Sequence, residues 1–449
     1  MEKSNILGTE KISKLFVKFS IPAIISMVIA GMQTMIDGMF LGNFVGPNAM
    51  ASVNLVQPFT QVIIGFSMII SIGSLSFIGR SLGEGNNEKA QNIFKTSFIF
   101  MLAISAIISI VGFLFSDSIA VLLGANDVLI ESVSIYVKTI SIFAVSTSIM
   151  FLFGFIDRVI GRPDLFLKGT IVSLIVNIVL DYILLKELNM GIRGAAIATG
   201  VAFLSALFIV IWPMIDKKSI VNIFVGSFDK SVIIPVAYNG SSEGVTSIAT
   251  ATTAYVFNMA FMKIAGESGV AAFTTISYIS QFGTLIMFGI SDGIGPIISY
   301  NFGDKKYDRV KSILKLSDGI ILGVGIILFV IIFVFGKTLV SMFAGGNKDV
   351  LELAVNGSKI YAFAFFMNGF NIVNSGYFTA IGDAKASIII AASRGIIFII
   401  LGIIILPMIL GTSGIWLTVP FAELMTFIIG VNLITKNKSK ELNYTLDNI

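Results

Sequence analysis

The sequence predicts an all-α polytopic membrane protein with twelve spanning helices in two related six-helix bundles. Three observations carry that prediction: apolar runs of membrane-crossing length, a scarcity of charge, and an internal repeat that lays the second half of the chain on the first. The 449-residue chain is 55% hydrophobic and only 12% charged, with mean hydropathy +0.94. Ordinary soluble domains are about 25% charged, so this chain lacks the charge to cover a water-facing surface. It has 39 Phe, 43 Gly and 18 Met but no Cys and no His. That excludes a disulfide framework, a thiolate metal site, a Ser–His–Asp triad and an imidazole proton shuttle. A formal net charge of +4 is too small for a nucleic-acid footprint. Neither an enzyme nor a nucleic-acid partner is expected.

A helix needs about 20 largely apolar residues to cross the hydrocarbon core. Stretches free of Asp, Glu, Lys and Arg run over 19–36, 38–79, 96–116, 139–156, 194–214, 268–291, 319–336, 360–382 and 395–422. They resolve into spans at 16–42, 51–79, 95–116, 133–157, 167–187, 193–215, 233–262, 270–300, 316–337, 354–380, 387–409 and 412–434. Runs such as GIIFIILGIIILPMIL show none of the alternation that outer-membrane strands require. Basic residues orient the spans. With the N-terminus, the even-to-odd loops and the C-terminus on one side, that side holds twenty-three of the 30 Lys and Arg, from Lys3 to Lys440. Lys138, Lys186, Arg193, Lys263, Lys337, Lys348 and Lys359 fall on the other side. Both termini are therefore expected in the cytoplasm.

The repeat is most visible where QVIIGFSMIISIGSLSFIGRSLGEGNNEKAQNIFKTS, from Gln61, aligns without gaps on QFGTLIMFGISDGIGPIISYNFGDKKYDRVKSILKLS, from Gln281. Gly73 and Gly83 return as Gly293 and Gly303, and Glu84, Glu88 and Lys89 keep their charge as Asp304, Asp308 and Arg309. Six spans per repeat is an even number, so both halves share one orientation about an axis along the membrane normal. The expected organisation is an N-terminal lobe at 1–215, a polar linker at 216–232, and a C-terminal lobe at 233–449.

Five acids stand inside apolar runs: Asp37, Asp181, Glu243, Asp292 and Glu423. A charged residue at the bilayer centre costs roughly 2.5–3.5 kcal/mol on insertion scales, so each marks a functional-site hypothesis. None has a basic residue one helical turn away, and all five read as unpaired. Asp157 beside Arg158 reads instead as an interfacial pair. In VNIVLDYILL, Asn177 and Asp181 are four apart and share a helix face. An amide oxygen and a carboxylate are hard ligands suited to Na⁺ or to holding a proton; Thr199 in the next span can add a hydroxyl. At the repeat shift Asp37, Asn177 and Asp181 fall on Phe257, Ile397 and Leu401. An ion site in the first half alone is the simplest reading.

Several segments together resemble the multidrug and toxic compound extrusion (MATE) family, bacterial branch, over essentially the whole chain. They are IPAIISMVIAGMQTMIDGMFLG, SLGEGNNEKA, NIVLDYILL, GIRGAAIATGVA, NGSSEGVTS, DGIGPIISYNFGDKK and GIWLTVPFAE. The resemblance implies a V-shaped pair of lobes and secondary active efflux, exchanging organic cations or amphiphilic drugs for Na⁺ or H⁺ by alternating access. It implies no cofactor beyond that coupling ion, and a monomer in the lipid bilayer of a bacterial cytoplasmic (inner) membrane. Asp37, Asn177, Asp181 and Thr199 stand where the family's first-lobe cation site lies, and Tyr136 matches a tyrosine lining the same lobe. Gln33, Tyr136, Glu243, Gln281, Asp292 and Glu423 are the candidates to line a substrate cleft. Span 10, FFMNGFNIVNSGYFTAIG, has Asn368, Asn371 and Asn374 where some members have an aspartate, which argues against a second-lobe cation site. A lipid-linked oligosaccharide flippase of the same superfamily is the alternative reading; it calls for a basic cleft.

Overall fold

A computed structural model describes residues 6–342 and 348–446, with side chains as far as Lys436. Lys3, Lys438 and Lys440, counted above for orientation, lie outside the residues so described. The elements in order are α1 (Ile6–Thr9), α2 (Ile12–Phe44), α3 (Pro47–Gly83), α4 (Asn87–Leu114), α5 (Ser116–Leu122), α6 (Ile130–Ile142), α7 (Ala144–Val159), α8 (Pro163–Asp181), α9 (Gly191–Val210), α10 (Trp212–Ile215) and α11 (Ile233–Gly303). Then follow α12 (Tyr307–Ser341), α13 (Lys348–Tyr361), α14 (Phe365–Ile381), α15 (Ala384–Ala392), α16 (Phe398–Leu410) and α17 (Thr412–Leu446).

Ten helical stretches among the described residues are long and apolar enough to cross a membrane, and the bent pair α6–α7 makes a further crossing. The longest stretch, Lys230–Gly303, has 74 residues, long enough for two crossings. Its α11 holds 71 residues, about 105 Å at 1.5 Å per residue, and turns at Gly266, where φ is 62° and ψ −154°. A side chain there would strain against that left-handed backbone, and Gly adopts it freely. Counted as two at that turn, the stretch brings the crossings among the described residues to twelve, the number the hydropathy pattern predicts. Span 4 differs from expectation in shape: it is two helices meeting at 50° rather than one rod.

The chain divides into two compact units: Met1–Gly240 with Asp292–Val310, and Ser241–Ser291 with Lys311–Ile449. The stretch 216–232 thus lies within the first unit, and the last turns of α11 join that unit too.

In the first unit α8 packs on both α2 and α9, and α3 packs on α7 and α4. An apolar cluster including Leu41, Val56, Val137 and Ala196 fills one end. Lipid tails are as apolar as leucine, so helix association in a membrane rests on close packing and interhelical hydrogen bonds. Both are visible: Ser67 donates to Ser148 at 2.9 Å and Ser74 to Ser97 at 2.7 Å. The end of α11 meets α3 through paired glycines. A Cβ on Gly83 would sit 2.0 Å from the Tyr300 carbonyl oxygen, and one on Gly303 would sit 2.1 Å from that of Arg80. Since 80 and 83 map onto 300 and 303 in the repeat, the seam is reciprocal. The short α1 is strapped to the same region. Asn301 Nδ2 and Arg309 Nη2 donate to the Leu7 carbonyl at 2.9 and 3.1 Å, and Arg309 Nη2 also donates to that of Glu10 at 2.7 Å.

The second unit centres on an aromatic cluster in which Phe257, Phe261 and Phe273 pack with Trp416. A second cluster joins Met287, Ile332, Phe365 and Ile372. Its crossing Ala384–Leu410 contains a π-helical turn, Ser393–Ile397, between α15 and α16.

Candidate functional site

In the first unit α2, α6, α8 and α9 bring five of the predicted residues together. Asn177 and Asp181 lie one turn apart on α8, where they are 0% and 2% exposed. Asp181 is the last residue of α8 before a π turn, Tyr182–Glu187, closes the crossing. Such i→i+5 turns often accompany functional positions because they re-aim side chains out of the regular helical register. The Asp37 carboxyl on α2 faces both Asn177 and Asp181. Tyr136 on α6 lies against Thr199 on α9 and within charge reach of both carboxyls. Gln33, one turn before Asp37 on the same face of α2, is buried.

Buried polar atoms are normally hydrogen-bonded, so exceptions call for a reason. Here Asp37 Oδ1, Asp181 Oδ2 and both Asn177 amide atoms are buried without a hydrogen-bond partner. Among the described residues neither carboxylate is paired with Lys or Arg, and no third acid completes a metal-binding cluster with them. Two carboxyls that face each other repel when both are charged; a bound monovalent cation or a proton relieves that repulsion. Thr199 donates its hydroxyl proton to the Ala195 carbonyl at 3.1 Å, which leaves its oxygen lone pairs available. The oxygens of Asp37, Asp181, Asn177 and Thr199 thus form a set of hard donors with no cation supplied by the described residues.

The expectation of unpaired burial fails for the other two acids that the structure pairs. Arg158 Nη1 on α7 donates to Asp292 Oδ2 at 3.3 Å. Its guanidinium also lies 4.6 Å from the Phe155 ring centroid and 4.5 Å from that of Phe166. Arg158 therefore serves Asp292, not its neighbour Asp157, whose two carboxyl oxygens are buried without hydrogen bonds. In the second unit Glu423 on α17 is 3% exposed and accepts from Arg394 Nε at 2.7 Å. Asn368 Nδ2 and Asn371 Nδ2 on α14 donate to its carboxylate at 2.8 and 2.7 Å. Inspecting one helix at a time finds partners three or four residues away; these partners come from other helices. Arg394, counted from the sequence as a loop charge, lies within the π turn of a crossing. The available signal was its position, a lone arginine between IIIAAS and GIIFII. Of the remaining cleft candidates, Glu243 is half-buried and Gln281 exposed, both on the part of α11 that belongs to the second unit.

A sequence profile described as MatE matches residues 22–183 and again 244–404. The second match follows the first at nearly the spacing of the internal repeat. Multidrug export protein MepA from Staphylococcus aureus (strain bovine RF122 / ET3-1) is 26% identical over 415 residues, which is 91% of this chain and 90% of that protein. A solved structure of MATE in complex with MaL6 superposes with a TM-score of 0.92 at 21% identity, covering 99% of this chain and 100% of that one. A MOP superfamily transporter from Pyrococcus furiosus, described as having a binding pocket of reverse polarity that suggests a different function, superposes with a TM-score of 0.90 at 22% identity. That match covers 98% of this chain and 99% of the other. At these identities the structural likeness speaks to the fold, while the profile spans most of both repeats. The chain is a multi-pass membrane protein of the MATE family of transporters.

Proposed function

We propose that the chain is a secondary active exporter that exchanges cationic or amphiphilic organic molecules for Na⁺ or H⁺ by alternating access. The observation that carries this reading is the Asp37–Asn177–Asp181 constellation, in which Asn177, Asp181 and Asp37 Oδ1 are buried and no counter-ion stands among the described residues. A membrane protein retains such a group at a cost of several kcal/mol, and carriage of a cation or proton is the use that repays it. Relatives named as multidrug export proteins support the substrate class. Coupling requires only that ion and drug favour different conformations. For one ion exchanged against an uncharged drug, 100 mV supplies about 2.3 kcal/mol, enough for a drug gradient of more than tenfold; against a monovalent cation the exchange moves no net charge, and the ion's concentration gradient drives it. On this reading Asp37 and Asp181 take up the ion from outside and release it inside, with Tyr136, Gln33 and Thr199 shaping the site. The excess of basic residues in the N-terminal, even-to-odd and C-terminal segments supports cytoplasmic termini in the bacterial cytoplasmic membrane, and the chain works as a monomer.

Purified protein in vesicles loaded with ethidium tests the reading. Efflux should follow an imposed Na⁺ gradient or pH gradient, whichever ion is coupled, and stop in Asp37→Asn. A well-folded protein that moves ethidium under neither gradient, but moves lipid-linked oligosaccharide, would establish the flippase reading. Against that outcome, Arg158 and Arg394 are each engaged by a carboxylate and so present no free basic groups for a pyrophosphate.

A further inference from the structure

The two halves of the repeat treat their buried acids in opposite ways. In the first half the polar cluster lies on the fifth and sixth crossings, with Asn177 and Asp181 on one and Thr199 on the other, and no Lys or Arg among the described residues pairs with it. At the repeat shift Asn177 and Thr199 fall on Ile397 and Val419. One turn before Ile397 stands Arg394, and one turn after Val419 stands Glu423. The second half therefore also has a buried polar cluster on its fifth and sixth crossings, but here a guanidinium is covalently part of it, 2.7 Å from the carboxylate.

We propose that Arg394 is a tethered counter-ion that fills the second half's cation position, so that each chain couples to the single ion held in the first half. The proposal rests on the ion-coupled reading above. The surroundings of Glu423 fit it. Asn368 and Asn371 give their amide N–H groups to the carboxylate, while their Oδ1 atoms and Thr426 Oγ1 remain buried without partners. Without the guanidinium, a flip of either amide presents an oxygen beside Glu423, and the cluster becomes a hard-oxygen set like that of the first half. A purely structural ion pair makes a different prediction, since removing Arg394 would then leave only an uncompensated charge.

The test counts ions. Binding of ²²Na⁺ and proton uptake after a pH jump are measured on purified full-length protein. Wild type should bind one ion per chain, lost in Asp181→Asn. Arg394→Gln should bind two, of which one survives in Asp181→Asn/Arg394→Gln and is lost when Glu423→Gln is added; Arg394→Lys should bind one. The chain has no cysteine, so Arg394→Cys offers a unique thiol. Attaching an aminoethyl cation to it should return two ions to one, whereas a neutral methyl group should not. If Arg394→Gln binds as wild type does, or if its extra ion persists without Glu423, the proposal is overturned. Should Arg394→Gln fail to fold, recovery of folding by Na⁺ over choline supports the proposal, and the absence of such recovery overturns it. A wild type that binds no Asp181-dependent ion, beside an Arg394→Gln protein that gains a Glu423-dependent one, would sink the first-half reading and the single-ion count with it, and leave Arg394 standing as the tethered counter-ion of Glu423.

Discussion

Replacing Asp181 with Asn should abolish ion-driven transport while leaving the fold intact. The substitution keeps the side chain's shape and removes one of two carboxyls that face each other across α2 and α8. A monovalent cation about 4 Å from a carboxylate at an effective dielectric constant of about 20 gains roughly 4 kcal/mol. Losing one of the two carboxylates should therefore weaken ion binding by about a thousandfold. Stability should hold, because Asp181 has no basic partner to strand and its Oδ2 has no hydrogen bond to lose. The assay pairs ethidium efflux from vesicles under imposed Na⁺ and pH gradients with thermal unfolding of the same preparations. Loss of efflux with an unchanged unfolding temperature is the expected result. Full efflux in both Asp181→Asn and Asp37→Asn would refute the site assignment, and a large drop in unfolding temperature would refute the claim that the pair does not hold the fold together.

Glu423→Ala should behave in the opposite way, costing about 3–5 kcal/mol of stability because it strands Arg394 inside the second unit; chemical denaturation in detergent measures it, and adding Arg394→Ala should restore part of the loss. Gly83→Ala should destabilise by about 1–3 kcal/mol, as overpacking does, since its Cβ would meet the backbone oxygen of Tyr300 at 2.0 Å; an unchanged unfolding temperature would show that α3 and the end of α11 part easily. Arg309→Ala should free the N-terminal strap by removing charged hydrogen bonds to Leu7 and Glu10, each worth about 1.5–3 kcal/mol. Limited trypsin digestion at Lys11 and Lys14 should then run at least about tenfold faster, and an unchanged rate would place the anchor in Asn301 and in Lys306, whose Nζ donates to the Gly8 carbonyl at 3.1 Å.

The crossings were legible because a bilayer imposes one rule on every span: about 20 apolar residues with all backbone groups satisfied internally. The break between the spans at 233–262 and 270–300 was legible for the same reason, and the structure puts the turn there at Gly266. Asn177 and Asp181 were legible as a pair because four residues along one helix is a local distance. Asp37 could be listed with them but not placed against them, since it comes from the first crossing and they from the fifth. The ion pairs were illegible altogether. Arg158 reaches Asp292 across 134 positions and Arg394 reaches Glu423 across 29, and no periodicity connects such residues.

The sequence by itself therefore determined the solvent this protein folds in, the number of its crossings, its duplication, and which buried acids needed explaining. Hydrophobicity and repetition are properties of residues in order, and they survive without coordinates. Only the tertiary structure decided which of those acids are neutralised by the chain. Asp292 and Glu423 meet arginines brought by other helices, whereas Asp37 and Asp181 meet each other. A charge in a membrane is defined functionally by what stands within a few ångströms of it, and that neighbour is set by packing between helices rather than by position along any one of them.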